Sequence, residues 1–207
     1  MIIEQPSKWL RWIYPSALWR MDATEHSVYL TFDDGPIPES TPFILDTLRE
    51  FGIKATFFVV GENAERYPGL LKRIKEEGHS VGNHTYNHMG SLRHYVKTYL
   101  KNVERCNELI HSELFRPPHG WMWLSVYNIL NKRYKIVMWD LVTRDYSRLL
   151  NAFDVVRNVI LYTRNGSIIT FHDSLKSIEK LQYALPASLR YLKEKGYDSN
   201  KSCNSIW

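Results

Sequence analysis

Apolar residues recur along this chain in two rhythms. Short β-rich runs alternate with longer stretches in which apolar positions fall three and four apart. The first run is Ser27-Val28-Tyr29-Leu30-Thr31-Phe32, and it ends at a turn signal, Asp33-Asp34-Gly35-Pro36. Thr41-Pro42 predicts a helix start, with Thr41 as N-cap and Pro42 at the first helical position; Phe43, Ile44, Leu45, Leu48 and Phe51 follow at helical spacing up to Gly52. A second strand is predicted over 55–60, a helix over 67–77 closed by Gly78, and a third strand over 79–82. The stripe Leu92, Val96, Tyr99, Val103, Cys106 and Ile110 predicts a long helix over 92–110. A brief strand over 114–116 stops at Pro117-Pro118. Then come a helix (124–130), a strand (135–139), a helix (153–161), a strand (167–171) and a closing helix (179–195) broken or kinked near Pro186.

Strands separated by helices imply βα units and a mainly parallel sheet or barrel, in which working residues gather where strands end. Polar groups do follow strand after strand: Asp33-Asp34, His84 and His88, Arg116 with His119, Asp140 or Asp145, and His172-Asp173.

Composition narrows the class. The 207 residues favour one domain, and 44% hydrophobic with 24% charged residues excludes disordered, collagen-like and coiled-coil chains. The net charge of +5 comes without a block of five or more like charges, so no nucleic-acid partner is expected. Aromatics reach 14%, enough for a bulky core or for a surface that stacks on sugar rings. Pro6, Lys8, Arg11, Pro15 and Ser16 interrupt any secretory h-region, and no run is long enough to span a bilayer, which leaves the cytoplasm as the default compartment. Residues 1–26, with Trp9, Leu10, Trp12 and Trp19 among Lys8, Arg11 and Arg20, read as an arm packed on a catalytic domain over 27–207; a seat on a membrane surface is the minor reading. Cys106 and Cys203 read as reduced thiols, and nothing in the pattern assigns an oligomeric state.

Candidate chemistry follows from residue types. His84 and His88, four apart, would share one face of a helical turn, and two imidazoles plus a carboxylate are a common catalytic zinc set; alone, the pair reads more readily as surface or core histidines. Adjacent Asp33 and Asp34 repel unless one meets a cation and the other accepts protons; the bare turn would otherwise be solvated. Successive strand residues face opposite ways, so Gly35-Pro36 must bend the chain for both to reach one pocket. His172, at the exit of a buried strand, suits a general acid or a helix cap. Arg116 could hold a carboxylate bidentately or merely neutralise a surface acid.

In this order the segments resemble the polysaccharide deacetylases of carbohydrate esterase family four, the NodB homology domain. The resemblance runs from about Val28 to Gly196. It rests on Thr31-Phe32-Asp33-Asp34-Gly35-Pro36, His84-Thr85-Tyr86-Asn87-His88, Arg116-Pro117-Pro118-His119-Gly120, Trp139 through Tyr146, and Ile168-Ile169-Thr170-Phe171-His172-Asp173. It implies a distorted (β/α) barrel of about seven parallel strands and a metal-dependent hydrolase that removes N-acetyl groups from amino-sugar glycans, of the peptidoglycan or chitin-oligomer type. Asp34, His84 and His88 would bind a divalent metal, most simply Zn2+ or else Co2+. Asp33 would be the base toward metal-bound water and His172 the acid. Arg116 would orient Asp33, Asp145 would orient His172, and the backbone N–H of His119 would hold the oxyanion. Where the family commonly has other residues, this chain has His119, Val142, Tyr146 and Thr170. These departures leave each catalytic group in place and bear on the acyl pocket. The alternatives are an O-deacetylase, a deacylase of a lipid-linked sugar, or a catalytically silent carbohydrate-binding protein.

Overall fold

The computed structural model describes residues 4–203; the ends of the expected arm and catalytic domain, 1–3 and 204–207, lie outside the described residues. A short helix α1 (Lys8–Ile13) precedes strand β1 (Val28–Asp33). There follow α2 (Thr41–Phe51), β2 (Thr56–Val59), α3 (Gly61–Arg66), α4 (Pro68–Glu76), β3 (Ser80–Asn83), α5 (Val96–Ile110) and β4 (Leu114–Phe115). The chain continues through α6 (Leu124–Leu130), β5 (Lys135–Ile136), β6 (Leu141–Val142), α7 (Ala152–Tyr162), β7 (Ser167–His172) and α8 (Ile178–Glu194). The strands form one seven-stranded sheet in the order β5-β4-β3-β2-β1-β7-β6, and every pairing is parallel. It is the curled, helix-covered sheet that the resemblance implies.

Strand periodicity decides what each face holds. Val28, Leu30 and Phe32 of β1, with Ile169 and Phe171 of β7, pack outward against Ile44 and Leu48 of α2, Val155 of α7 and Leu185 of α8. The intervening residues of β1 face inward: Tyr29, Thr31, Asp33. So do Ile168, Thr170 and His172 of β7, their register partners one for one. Tyr29, Ile168, Phe58, Leu114 and Val137 fill the lower interior with apolar bulk. One rung higher come the two threonines, and above them Asp33 and His172. The same alternation that builds the core thus lifts the acid and the imidazole to the C-terminal rim.

Several elements differ from the sequence expectation, each for a visible reason. Helix α5 starts at Val96 rather than near Leu92: residues 91–93 form a 3-10 turn and Leu92 is exposed, while Tyr99, Val103, Cys106 and Ile110 are buried as the stripe requires. The expected strand over 135–139 is regular only over Lys135–Ile136; Val137 goes on to bridge Leu18, and the carbonyls of Val137 and Met138 accept from the Arg116 guanidinium at 3.0 and 2.7 Å. Thr41 is the first residue of α2, not its N-cap; its hydroxyl accepts from Ile37 N at 2.7 Å and donates to Asp173 at 2.6 Å. Helix α8 runs unbroken through Pro186, held by the buried Leu181, Leu185 and Leu189. Helix α3 and strand β6 have no counterpart in the sequence reading. Cys106 and Cys203 are both buried and unpaired.

The segment before β1 lies across the sheet. Leu10 and Tyr14 are buried against Met122 and Tyr127, and the Tyr14 hydroxyl donates to Met122 O at 2.6 Å. Leu18 bonds by its backbone to Ile136 and Met138, and Met21 to Gly166, so the segment stitches the β5 side to the start of β7. Glu4 accepts from the backbone of Val142 and from Arg144. Arg11 joins Arg164 and Ser167 around the buried Asp140.

Candidate active site

Asp33, Asp34, His84, His88, His119, Tyr146, Thr170 and His172 line one cavity of about 740 Å³ at the C-terminal ends of the strands. Arg116 and Asp145 stand behind it, holding two of these groups. All ten residues singled out in the sequence therefore meet in one place.

The loop backbones explain how. Asp34 has φ +82, so the bend that brings both aspartates inward falls at Asp34 itself, one residue earlier than the Gly35-Pro36 turn suggested. The Asp34 carbonyl is held by the Asn63 side chain at 2.9 Å, and Gly35 O accepts from Val60 N. No side chain fits at Gly35: a Cβ there would stand 1.9 Å from Asp173 Oδ2. Asp173 is buried, accepts from Ser40 and Thr41, and donates its backbone N–H to Asp33 O at 2.7 Å. Burial pushes its carboxyl up to about 7, against those two hydroxyl donors. The sequence motif contained Asp173 without disclosing this buttressing role.

His84 and His88 do not share a helical turn. Thr85 and His88 have φ +66 and +56, and the loop is knotted by Thr85 N to Asn83 Oδ1 at 2.8 Å and Met89 N to Thr85 Oγ1 at 2.9 Å. The knot brings the rings within 5.1 Å of each other. Their Nε2 atoms lie 3.6 and 3.3 Å from Asp34 Oδ1, respectively. Two donors about 2.0–2.2 Å from one tetrahedral cation stand about 3.3–3.6 Å apart, so the spacing suits a shared ion.

Protonation supports the same conclusion. His84 Nδ1 donates to the Arg116 carbonyl at 2.8 Å, and burial pushes the ring down to about 4. Its Nε2 is therefore a lone pair facing a carboxylate oxygen. Burial resists ionisation of Asp34, but His88, His172 and His84 hold its carboxyl well below the ordinary range. A neutral imidazole and a carboxylate with no proton between them form a donor set that fits a divalent cation.

Asp33 and Arg116 form the second unit. Arg116 is 0% exposed, and its Nη1 donates to Asp33 Oδ1 at 2.6 Å and Thr31 Oγ1 at 2.8 Å. It also reaches Thr170 Oγ1 at 3.1 Å, and its guanidinium lies 4.1 Å over the Phe58 ring. Thr170 shares its hydroxyl with Thr31 as well, so it is absorbed by the Arg116 network rather than presented as a free hydroxyl.

His172 and Asp145 form the third. Asp145 accepts from His172 Nδ1 at 2.8 Å and from its backbone N–H at 2.7 Å. Burial alone would lower the imidazole; Asp145, with Asp34 and Asp33, raises it to about 9. Tyr146 meets the His172 ring edge-on at 4.6 Å. Asp140, which the sequence left as an alternative to Asp145, lies elsewhere, in its cage of Arg11 and Arg164. On the opposite wall His119, at φ +62, sets its ring 4.8 Å from His88; burial lowers its pKa, and His88 adds to the effect.

A three-donor cation site flanked by a carboxylate and a protonated imidazole is the equipment of a metal-assisted hydrolase. The family profile described as polysaccharide deacetylase matches residues 20–133. The chain is 36% identical over 159 residues to a peptidoglycan-N-acetylglucosamine deacetylase of Bacillus cereus, covering 71% of this chain and 56% of that one. It therefore spans just over half of that relative. A chitooligosaccharide deacetylase of Azorhizobium caulinodans is 33% identical over 164 residues, covering 74% of this chain and 77% of the relative. Among solved structures, the Bc1960 peptidoglycan N-acetylglucosamine deacetylase superposes with a TM-score of 0.85 at 31% identity, over 95% of both chains. The chain belongs to the polysaccharide deacetylase family.

Proposed function

We propose that this protein hydrolyses N-acetyl groups from amino-sugar glycans of the peptidoglycan or chitin-oligomer type, with a divalent cation, Zn2+ or in its place Co2+, held by Asp34, His84 and His88. The observation that carries the reading is the placement of Asp33 and His172 as register partners on adjacent strands, held by Arg116 and Asp145 respectively, beside the three-donor cluster. Relatives named for deacetylation of peptidoglycan and of chitooligosaccharides support the substrate class. When bound, the cation supplies Lewis-acid polarisation of the amide carbonyl and a water nucleophile near neutral pH.

The protein's own groups do the rest. Arg116 holds Oδ1 of Asp33, leaving Oδ2 to take the proton of the attacking water. Asp145 holds Nδ1 of His172, leaving Nε2 to deliver a proton to the departing nitrogen, which is too basic to leave as an anion. The backbone N–H of His119 donates to the oxyanion from the far wall, while Tyr146 and Thr170 shape the acyl pocket.

Acetate release from N-acetylglucosamine oligomers and from peptidoglycan fragments tests this. The whole protein should release acetate with Zn2+ or Co2+, fall to background after chelation, and recover when metal is returned. No release from any N-acetylated glycan under either metal overturns the reading.

The acid assignment has its own test. Activity should fall as pH rises through the His172 pKa. Asp145→Asn removes the carboxylate that outweighs burial, so the alkaline limb of kcat/KM should move to lower pH, by roughly 1–3 units. An unmoved limb removes His172 from the acid role.

A further inference from the structure

Beside the cavity, on its His119 side, lies a surface that the proposed reaction does not use. Helix α1 buries Leu10 and turns Trp9 and Trp12 outward, 54% and 82% exposed. The Trp9 ring meets Trp121 at 5.8 Å. Residues 121–123 run extended: Met122 is buried, while Trp121 is half-buried and Trp123 exposed on the opposite side. Leu124 is exposed at the start of α6, and the Trp123 N–H donates to Ser91 Oγ at 3.3 Å, which brings the exposed Leu92 alongside. The patch begins where the cavity ends, since Gly120 lines the cavity and Gly90 lies against the His119 ring.

Its charge is one-sided. Residues 5–21, 78–103 and 114–139, the stretches that build this side, contain none of the chain's 22 Asp and Glu residues. They do carry the exposed cations Arg93, Lys97, Lys101 and Lys132; Glu104, one helical turn beyond Lys101, is bound to Arg133 at 2.6 Å. A second exposed apolar group, Leu149, Phe153 and Tyr183, lacks this bias: Asp154 adjoins Phe153, and Glu179 stands one helical turn from Tyr183.

We infer that the Trp9–Trp12–Trp123 patch seats the protein on an anionic lipid bilayer, with the indoles at headgroup depth and the cavity mouth beside the surface. Indoles combine an apolar body with a polar N–H and favour that boundary. Cations in excess of carboxylates are drawn to the anionic leaflet. A sugar-binding platform would use flat ring faces and carboxylates that accept from hydroxyls. Here the outer face of a helix is joined by two leucines, and no carboxylate is present. Among the described residues no helix is long and apolar enough to cross a membrane, so the contact is one of lying on the surface. The inference rests on this surface alone, and its test reads lipid binding without any turnover.

The experiment is co-sedimentation of the whole protein with vesicles of phosphatidylcholine alone and of phosphatidylcholine with phosphatidylglycerol, at low and at high salt. The protein should pellet with the anionic vesicles and be released by salt. Trp9→Ser with Trp12→Ser should weaken that binding roughly tenfold or more while leaving acetate release from soluble oligomers unchanged. Binding that is absent, equal on neutral vesicles, or undiminished in the double variant overturns the inference. A raised KM for soluble oligomers in the variant would reassign the patch to glycan. A dimer of the wild-type chain lost in the variant would reassign it to a second copy. Either result also overturns it.

Discussion

Asp33→Asn is expected to lower kcat/KM about 10²–10⁴-fold, the range for removing a general base, while cation content and fold are retained. The amide oxygen can still accept from Arg116 Nη1, whose 2.6 Å bond now holds Asp33 Oδ1, so the loop keeps its anchor. It is the second oxygen that loses its basicity. Asp34→Asn serves as the contrast, because it weakens the cation site itself, whose donors close to 3.3 and 3.6 Å around Asp34 Oδ1. Acetate release measured alongside bound-metal analysis separates the two. A metal-replete Asp33→Asn protein with more than a tenth of wild-type activity would exclude Asp33 as the base.

The largest loss of stability should come from Arg116→Leu. This guanidinium is wholly buried and makes bonds to Asp33, Thr31, Thr170, Val137 O and Met138 O. Leucine would cover Phe58 but would leave a buried carboxylate and two carbonyls without their donor. Removing one partner of a buried ion pair costs about 3–5 kcal/mol. In a protein of this size that lowers Tm by roughly ten degrees. Urea unfolding gives the same quantity independently. A loss below about 1 kcal/mol, the scale of an exposed pair, would show that Arg116 is not the keystone described. Activity should fall with stability, since Oδ1 of Asp33 is then free to swing.

The sequence disclosed the parts of this molecule that repeat and hid those that turn. The apolar runs of the inner strands over 27–32 and 167–171 were readable because both faces are packed, and the order of polar groups at strand ends then located the site. The geometry within the loops was not readable. Asp34, Thr85, His88 and His119 all take positive φ, a conformation in which a sequence pattern leads one to look for glycine. They are held there by side-chain hydrogen bonds and neighbours that only the assembled fold supplies. For the same reason two histidines four apart suggested a helical turn where the chain makes a knotted loop. Strand β6, two residues long, had no counterpart in that reading. Asp140 and Asp145 were indistinguishable as types. Their surroundings separate them: two arginines and a serine around the first, a histidine against the second.

The order of the strands has an evolutionary consequence. Asp34 and the histidine pair follow β1 and β3 and His172 ends β7, none of which is an edge of the sheet, whereas Arg116 and His119 come after β4 and Asp145 and Tyr146 after β6, toward the two margins. Because Arg116 holds Asp33 and Asp145 holds His172, those margins carry the supports of the proton route as well as the walls of the mouth. A lineage with this architecture can explore new substrates at His119 and Tyr146 only so long as Arg116 and Asp145, within three residues of them, are kept.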